Sequence, residues 1–211
     1  MEYRGLTGVL YQWCEWIMRL AYLHILWLLF TLLGGVILGV APATAGMFAV
    51  LRQWFLGRED VPVFRTYWQS YRREFWGANL LGWLLFVVAA VLFVDLWVFR
   101  LVDGWVGLAL SLFFLSLLFL LAITVLYAFP AFVHYRMGIL QYVRCALGLG
   151  MSHLPLTLLM FVSIFLIGCL YVYLPGLIPA FGFSLVAFVI MKLSMIVFSK
   201  AEERFADQST S

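Results

Sequence analysis

The chain has 211 residues, of which 66% are hydrophobic and 11% are charged, whereas a typical soluble domain has roughly 25% charged residues. This composition excludes a soluble globular protein and predicts an all-α integral membrane protein with no separate soluble catalytic domain. The net charge of +3 is small and spread over the connections, so nucleic acid is not an expected partner, whereas anionic lipid at the cytoplasmic face is.

The first segment of interest, residues 6–19, is amphipathic, and we predict an interfacial helix there. Its polar side includes Glu15 and Arg19, which have the i,i+4 spacing of a helical ion pair. An apolar run at about 21–40 follows and predicts the first membrane span. A secretory signal is the competing interpretation, but the run is too long and starts too late for one, so we expect an uncleaved span.

The longest polar connection runs from Pro42 to Gly82 and contains five of the thirteen basic residues. It predicts two amphipathic cytoplasmic helices, at about 42–56 and 62–77, each starting near a proline, with Gly57 closing the first. In the second helix, aromatic and polar side chains alternate at helical spacing. The aromatic positions are Phe64, Tyr67, Trp68, Tyr71 and Phe75, and the polar ones are Arg65, Gln69, Arg72 and Arg73.

Such a helix suits the headgroup layer of a membrane, with its aromatic face in the lipid and its basic face free to dock a partner. The alternative of equal weight is an ordinary connection whose arginines only set the topology. Four further spans are predicted at about 79–99, 106–133, 154–174 and 177–198, which gives five in total. Pro130 is expected to mark the end of the third span, and Pro175 and Gly176 to make the last two a tight hairpin.

The distribution of Lys and Arg predicts the orientation. If the connection 42–77 is cytoplasmic, ten of the thirteen basic residues lie on that side, and Arg4, Arg19 and Arg100 lie outside. This favours a multi-pass membrane protein with a cytoplasmic C-terminus and an external N-terminus. If the number of spans is even instead, the N-terminus becomes cytoplasmic and the C-terminus stays.

Polar residues in or beside the spans are candidate functional positions. Asp95 is the sharpest, because a carboxylate in an apolar run usually faces a bundle interior, although an interfacial ion pair with Arg100 is the favoured alternative. Asn79 is expected to hydrogen-bond as a cap or between helices. His134 either binds a ligand or is simply interfacial. The other candidates lie in the long connection: Arg52, Arg65, Trp68, Arg72 and Arg73.

Catalytic sequence patterns are absent, including HExxH, GxSxG and the Walker loop. Three widely separated cysteines indicate neither a disulfide framework nor a metal site. We therefore predict no enzymatic activity, no cofactor and no metal. The low polarity of the spans also argues against a sugar path through one subunit.

Several stretches carry a family signature: LHILWLLFTLLGGVILGVAPATAGMFAVLRQW, RTYWQSYRREF after Phe64, NLLG at 79–82, and the closing MKLSMIVFSKAEER. In them the chain resembles the YesL-like family of small bacterial integral membrane proteins, most specifically at Leu26-Trp27, PATAG at 42–46, Arg52 and NLLG. The resemblance implies five or six membrane helices. Because such genes commonly lie beside genes for polysaccharide breakdown and sugar uptake, it also implies a link to carbohydrate utilisation, but no activity and no site residue.

Together these observations predict a non-enzymatic accessory or scaffold component associated with bacterial carbohydrate uptake, with sugar-uptake transporter subunits as partners. The alternative is a small-solute or sugar transporter that acts as a homo-oligomer.

Overall fold

A computed structural model describes the backbone of residues 6–210 and the side chains of residues 11–203. Arg4 and the side chain of Arg204, which enter the charge count, lie outside these ranges. The described part is all-helical, as predicted. Its α-helices are α1 (Leu6–Leu33), α2 (Val40–Phe55), α3 (Val63–Arg73), α4 (Phe75–Phe99), α5 (Trp105–His134), α6 (Ile139–Ser152), α7 (Leu154–Tyr173), α8 (Ile178–Phe181) and α9 (Ser184–Thr210), with a 3-10 helix at Pro175–Leu177.

Five helices of the described chain are long and apolar enough to cross a membrane, which confirms the predicted number. These candidate spans are Tyr11–Leu33, Phe75–Phe99, Trp105–His134, Leu154–Tyr173 and Ser184–Glu203. Several bounds differ from the prediction. The predicted helix at 62–77 is divided, since α3 ends at Arg73 and residues 75–77 open α4. The segments 6–19 and 21–40 form one continuous helix that ends at Leu33; Pro130 lies inside α5; and the last span starts after α8, so the hairpin at Pro175 is longer than expected.

A tight turn at 34–39 brings α2 back along α1. Gly35 and Val36 both have positive φ, +73° and +60°, which reverses the chain within a few residues. The Trp27 indole N–H donates to the Thr44 hydroxyl at 3.1 Å near the turn, and the rings of Trp16 and Trp54 meet edge to face further away. Helices α1 and α2 are therefore antiparallel.

Helix α2 is a core element, which corrects its prediction as a surface helix. Ten of its sixteen residues are buried, and it contacts α1, α3, α4, α5 and α9. Small residues permit this packing: the Tyr67 ring lies against Gly46, where an added Cβ would be 3.0 Å from a ring carbon. Gly57, with φ +78°, closes α2 as predicted, because its N–H and that of Arg58 bond to carbonyls of the last turn.

The aromatic face of α3 packs largely on protein, which corrects its prediction as a face turned to lipid headgroups, and of the predicted aromatic positions Phe64 is the exposed one. Tyr67 and Tyr71 are buried, and their hydroxyls donate to the carbonyls of Ala43, at 2.6 Å, and Phe30, at 3.2 Å. Burial raises the pKa of Tyr67 well above its usual value, so the phenol stays protonated and remains a donor. The Phe30 ring lies among four aromatic rings of α3, those of Phe64, Tyr67, Trp68 and Tyr71.

The directions of the helices follow from pairs of contacts. Helices α1, α4 and α7 run one way, and α2, α5 and α9 run the other. The pairs are Trp16–Trp54 and Trp27–Thr44 for α1 and α2; Phe48–Phe129 and Arg52–His134 for α2 and α5; Gly77–Phe132 and Phe99–Phe114 for α4 and α5; Phe119–Phe161 and Tyr127–Thr157 for α5 and α7; and Trp16–Phe188 and Trp27–Phe183 for α1 and α9.

This arrangement bears on the topology. A chain that crosses a bundle five times starts and finishes at opposite ends. Here α2 runs back along α1, so the chain traverses the bundle six times and returns to the end where it started. The Tyr11 end of α1 and the Glu203 end of α9 therefore lie at the same end of the bundle.

Candidate functional site: a cationic cleft at one end of the bundle

An open cleft of about 1410 Å³ lies where α2 and α5 end and α4 and α6 begin. Its charged lining is strongly unbalanced, with four arginines and one glutamate. We call it the cationic cleft. Its charged residues are Arg52, Arg72, Arg73, Glu74 and Arg136, and its other polar or aromatic residues are Gln53, Thr66, Trp68, Gln69, Ser70, Phe132, His134, Tyr135, Gln141 and Tyr142.

Arg52 projects from the last turn of α2 and is half-buried. Its Nε donates to Nδ1 of His134 at 3.1 Å. Among the side chains described, its two terminal nitrogens have no hydrogen-bond partner and no carboxylate lies within 4 Å of it. Burial, and then the charge of Arg58, lower the pKa of the Arg52 guanidinium, while Glu202 acts in the opposite direction. An arginine still keeps its charge at neutral pH, so an oriented cation that forms no ion pair with any described carboxylate faces the cleft.

His134 holds Arg52 in place as a neutral ring. Because Nδ1 accepts a hydrogen bond from a guanidinium, that nitrogen carries no proton, and the ring proton is on Nε2. Nε2 faces Oε1 of Glu202 on α9 at 3.4 Å, and the Tyr135 hydroxyl donates to the same oxygen at 3.2 Å. The contact between His134 and Glu202 is therefore a long hydrogen bond of a neutral imidazole and not an ion pair.

Helix α3 forms a second wall, and it presents two arginines. The Arg72 guanidinium lies 5.8 Å from the centre of the Trp68 ring, and Arg73 Nε bonds to Oε1 of Glu74 at 2.7 Å. Both arginines are exposed. Arg65 is exposed too but does not line the cleft. Of the predicted docking face, Arg72, Arg73 and Trp68 thus belong to the cleft, whereas Arg65 stands apart.

The connection between α5 and α6 forms the third wall and presents Arg136. The Tyr142 hydroxyl accepts from the N–H of Met137 and donates to the carbonyl of Tyr135, both at 3.0 Å. The Gln141 side chain accepts from the N–H of Gly138 at 2.9 Å. These bonds fix the connection. The sequence places His134 and Arg136 at a membrane border, but nothing in it shows that they meet Arg52, 82 residues away from His134.

Two predicted candidates lie away from the cleft. Asn79 is buried, and its side-chain N–H donates to the carbonyl of Phe75 at 2.9 Å, a bond within α4 and not between helices. Asp95 is half-buried further along α4. No ion pair joins Asp95 to Arg100 in the described part of the chain, so the expected interfacial pair is not formed.

The chemistry of the cationic cleft is donation of hydrogen bonds to oxyanions. Guanidinium groups give short, charge-assisted bonds to carboxylate and phosphate oxygens, and amide side chains add neutral donors and acceptors. Among residues with described side chains, no group of His, Cys, Asp and Glu has the arrangement of a metal site. The cleft is therefore a candidate binding site for a negatively charged ligand or partner.

Comparison with known proteins gives relatives without an assigned activity. Residues 20–96 match the family described as "Protein of unknown function, DUF624". Three uncharacterized proteins of Bacillus subtilis (strain 168) are similar over most of their length: YteU, 38% identical over 96% of this chain and 91% of its own; YesV, 38% over 93% and 94%; and YesL, 34% over 92% and 91%. No solved structure matches the chain. The matched segment 20–96 includes Arg52, Arg72 and Arg73 but not the α5–α6 connection.

Proposed function

Because the chain belongs to the DUF624 family, whose function is unknown, we propose its function from the geometry of the cationic cleft. It is a non-enzymatic, multi-pass membrane protein that acts as an accessory or scaffold component in bacterial carbohydrate uptake. It docks an acidic segment of a sugar-uptake transporter subunit in the cationic cleft. The observation that carries the docking proposal is the oriented Arg52 below a rim of further arginines. The carbohydrate part rests on the family resemblance.

The size of the cleft favours a macromolecular segment over a small solute. Pockets for drug-sized molecules have volumes of roughly 300–1,000 Å³, and this open cleft is larger. Three hydroxyls of the spans also favour docking over transport. The hydroxyls of Ser116, Thr124 and Ser163 donate to carbonyls of their own helices, so these groups are already satisfied and do not offer donors to a solute path.

We place the cleft at the cytoplasmic side of the bacterial cytoplasmic membrane. Its own arginines support this, since basic residues accumulate in cytoplasmic connections. The helix directions add support. With the Tyr11 end of α1 and the Glu203 end of α9 on the cleft side, Arg100 is the one basic residue, among those with described side chains, in a connection at the opposite end. The positive-inside bias is then stronger than with an external N-terminus. Anionic lipid headgroups would border the same basic surface.

Reporter fusions test this topology. Reporters joined before the N-terminus and after Ser211 should both be active in the cytoplasm, and one inserted between Pro175 and Gly176 should be active outside. At each site, the measurement compares a reporter enzyme that is active only outside the membrane with a reporter protein that fluoresces only in the cytoplasm. An external signal from the N-terminal fusion alone would restore the topology of five crossings. An external signal after Ser211 would contradict a cytoplasmic cleft.

Removal of two rim charges tests the docking. Replacing Arg72 and Arg73 together by glutamine should strongly reduce co-purification of the transporter subunit from mild detergent at low salt, measured by mass spectrometry. Charge-assisted hydrogen bonds contribute about 1.5–3 kcal/mol each, and each 1.4 kcal/mol is tenfold in affinity. Membrane abundance and melting temperature should stay close to wild type, because both side chains are exposed.

The matched control is Arg65→Gln, which removes an exposed arginine of the same helix that does not line the cleft. It should retain the partner. If the double variant keeps every partner that the wild type has, the docking hypothesis is wrong and these arginines only set the topology.

A further inference from the structure

We infer that Arg52 is the anchor of the docked segment and binds one carboxylate side chain of an acidic peptide at the bottom of the cationic cleft. This inference rests on the proposed docking function and names the chemistry of its deepest contact. Arg52 would then decide which segments dock, while the rim arginines contribute general attraction.

The first step concerns which edge of the guanidinium is free. Nε of Arg52 is engaged by Nδ1 of His134 at 3.1 Å, which leaves the edge formed by the two terminal nitrogens for a ligand. Two parallel N–H groups on that edge match the two oxygens of a carboxylate. Because His134 fixes the third nitrogen, the side chain is oriented before a ligand arrives, and less conformational entropy is lost on binding.

The second step concerns charge. His134 is neutral in this geometry and Gln53 is uncharged, so Arg52 carries the charge among the lining residues at the bottom of the cleft, and the nearby charges of Arg58 and Glu202, outside the lining, act on it with opposite signs. A single carboxylate balances this charge without the rim arginines, whereas a phosphate monoester carries about −1.5 to −2 charges and also needs one of them. The amides of Gln53, Gln69 and Gln141 can pair with a peptide backbone, which donates and accepts in alternation.

The third step concerns depth. Arg52 is half-buried, whereas Arg72, Arg73 and Arg136 are exposed. Salt screens exposed charges strongly and partly buried charges much less. Binding through the rim should therefore weaken as salt is added, and the part that persists at high salt should depend on Arg52.

The test uses the purified full-length protein in neutral detergent and a fluorescein-labelled poly-glutamate peptide as the probe. Fluorescence anisotropy at low and at high salt gives the dissociation constant. Arg52→Gln should weaken binding about ten- to a hundredfold and remove the binding that persists at high salt. Arg52→Lys keeps the charge but loses the two parallel terminal N–H groups of the guanidinium, so it should weaken peptide binding about tenfold. Arg72→Gln with Arg73→Gln should weaken binding at low salt only, and Arg65→Gln should change it little.

His134 is a positioning residue in this account, and its variants separate orientation from charge. His134→Ala should weaken the salt-resistant binding although Arg52 keeps its charge. His134→Asn, which retains a hydrogen-bond acceptor near the position of Nδ1, should restore most of it. Elution volume and melting temperature of every variant serve as the folding control. If Arg52→Gln fails that control, Arg52→Lys decides the matter.

The outcomes distinguish the inference from the proposed function. If Arg52 variants bind the peptide like the wild type while the rim variant loses it, the assignment of Arg52 as the anchor is wrong, whereas the proposed docking function stands. If the wild type does not bind the peptide at all, both are wrong. Phosphatidylglycerol added to the micelles provides the other arm. If that lipid binds in an Arg52-dependent manner and the peptide does not, the occupant is a lipid phosphodiester and the inference is overturned.

Discussion

Replacing Gly39 by alanine should disrupt the α1–α2 hairpin. The loss of stability should be the largest among replacements of a glycine by alanine in the turn at 34–39. An added Cβ would lie 2.2 Å from the carbonyl oxygen of Thr31 and 2.8 Å from its carbon. Both obstacles are backbone atoms, which cannot rotate away as a side chain would. We expect a cost at or above the upper end of the roughly 1–3 kcal/mol that overpacking usually causes. Because α2 carries Arg52, the cationic cleft should be lost with the hairpin.

The measurement is the melting temperature in detergent, followed by tryptophan fluorescence and by elution volume. Gly148→Ala is the matched control, since an added Cβ there, in α6, meets nothing within 4 Å. Alanine in a helix is favoured over glycine by roughly 0.5–1 kcal/mol, so this control should melt at or above the wild-type temperature. A Gly39→Ala protein that melts with the wild type would show that the close approach in the turn is wrong.

Phe30→Ala should release α3 from the rest of the bundle. The Phe30 ring is 2% exposed, and its centre lies 4.9–6.1 Å from the centres of four aromatic rings of α3. Replacing a buried phenylalanine by alanine costs about 3–5 kcal/mol, through lost contacts and the cavity that remains. Since α3 forms one wall of the cleft, the variant should also lose the binding that depends on Arg72 and Arg73.

Limited trypsin digestion measures this release. Cleavage at the arginines of α3 should be faster in Phe30→Ala than in the wild type, because a detached helix unfolds locally more often. Phe165→Ala, in which the replaced side chain of α7 is 69% exposed, is the control and should digest like the wild type. Equal digestion of Phe30→Ala and the control would contradict the packing of α3 on α1.

The membrane helices could be predicted because their signal is local. A run of some twenty apolar residues has few alternatives to a span, and the five spans follow from it. The position of α2 could not be read in the same way. Its small and weakly polar residues, such as Thr44 and Gly46, are the ones that permit close helix packing, yet they resemble the composition of a surface helix.

The aromatic face of α3 shows the same limit. Alternation of aromatic and basic side chains predicts an amphipathic helix, and α3 is one. The same pattern occurs whether the aromatic face of the helix lies on lipid or on protein. Tyr67 and Tyr71 bury their rings against α1 and α2 because those helices offer free space and carbonyl acceptors. Only the tertiary arrangement decides between the two environments.

The sequence predicts some of the residues of the cationic cleft but not their assembly. Arg52, Trp68, Arg72, Arg73 and His134 were all candidates, and the structure brings these five to one place. Arg136, Tyr135 and Glu202 join them through helix directions that depend on α2 returning along α1. No local pattern shows that return, because it depends on the tight turn at 34–39.

Crosslinking in the native membrane tests the central claim, that the cationic cleft docks a partner. A photo-crosslinking amino acid at Gln69, an exposed position in the lining, should form an adduct with a sugar-uptake transporter subunit. The yield of the adduct should fall strongly when Arg72 and Arg73 are replaced by glutamine. The same amino acid at Trp105, which is 81% exposed at the opposite end, should not form it. No adduct from Gln69, or an equal one from Trp105, would contradict the account.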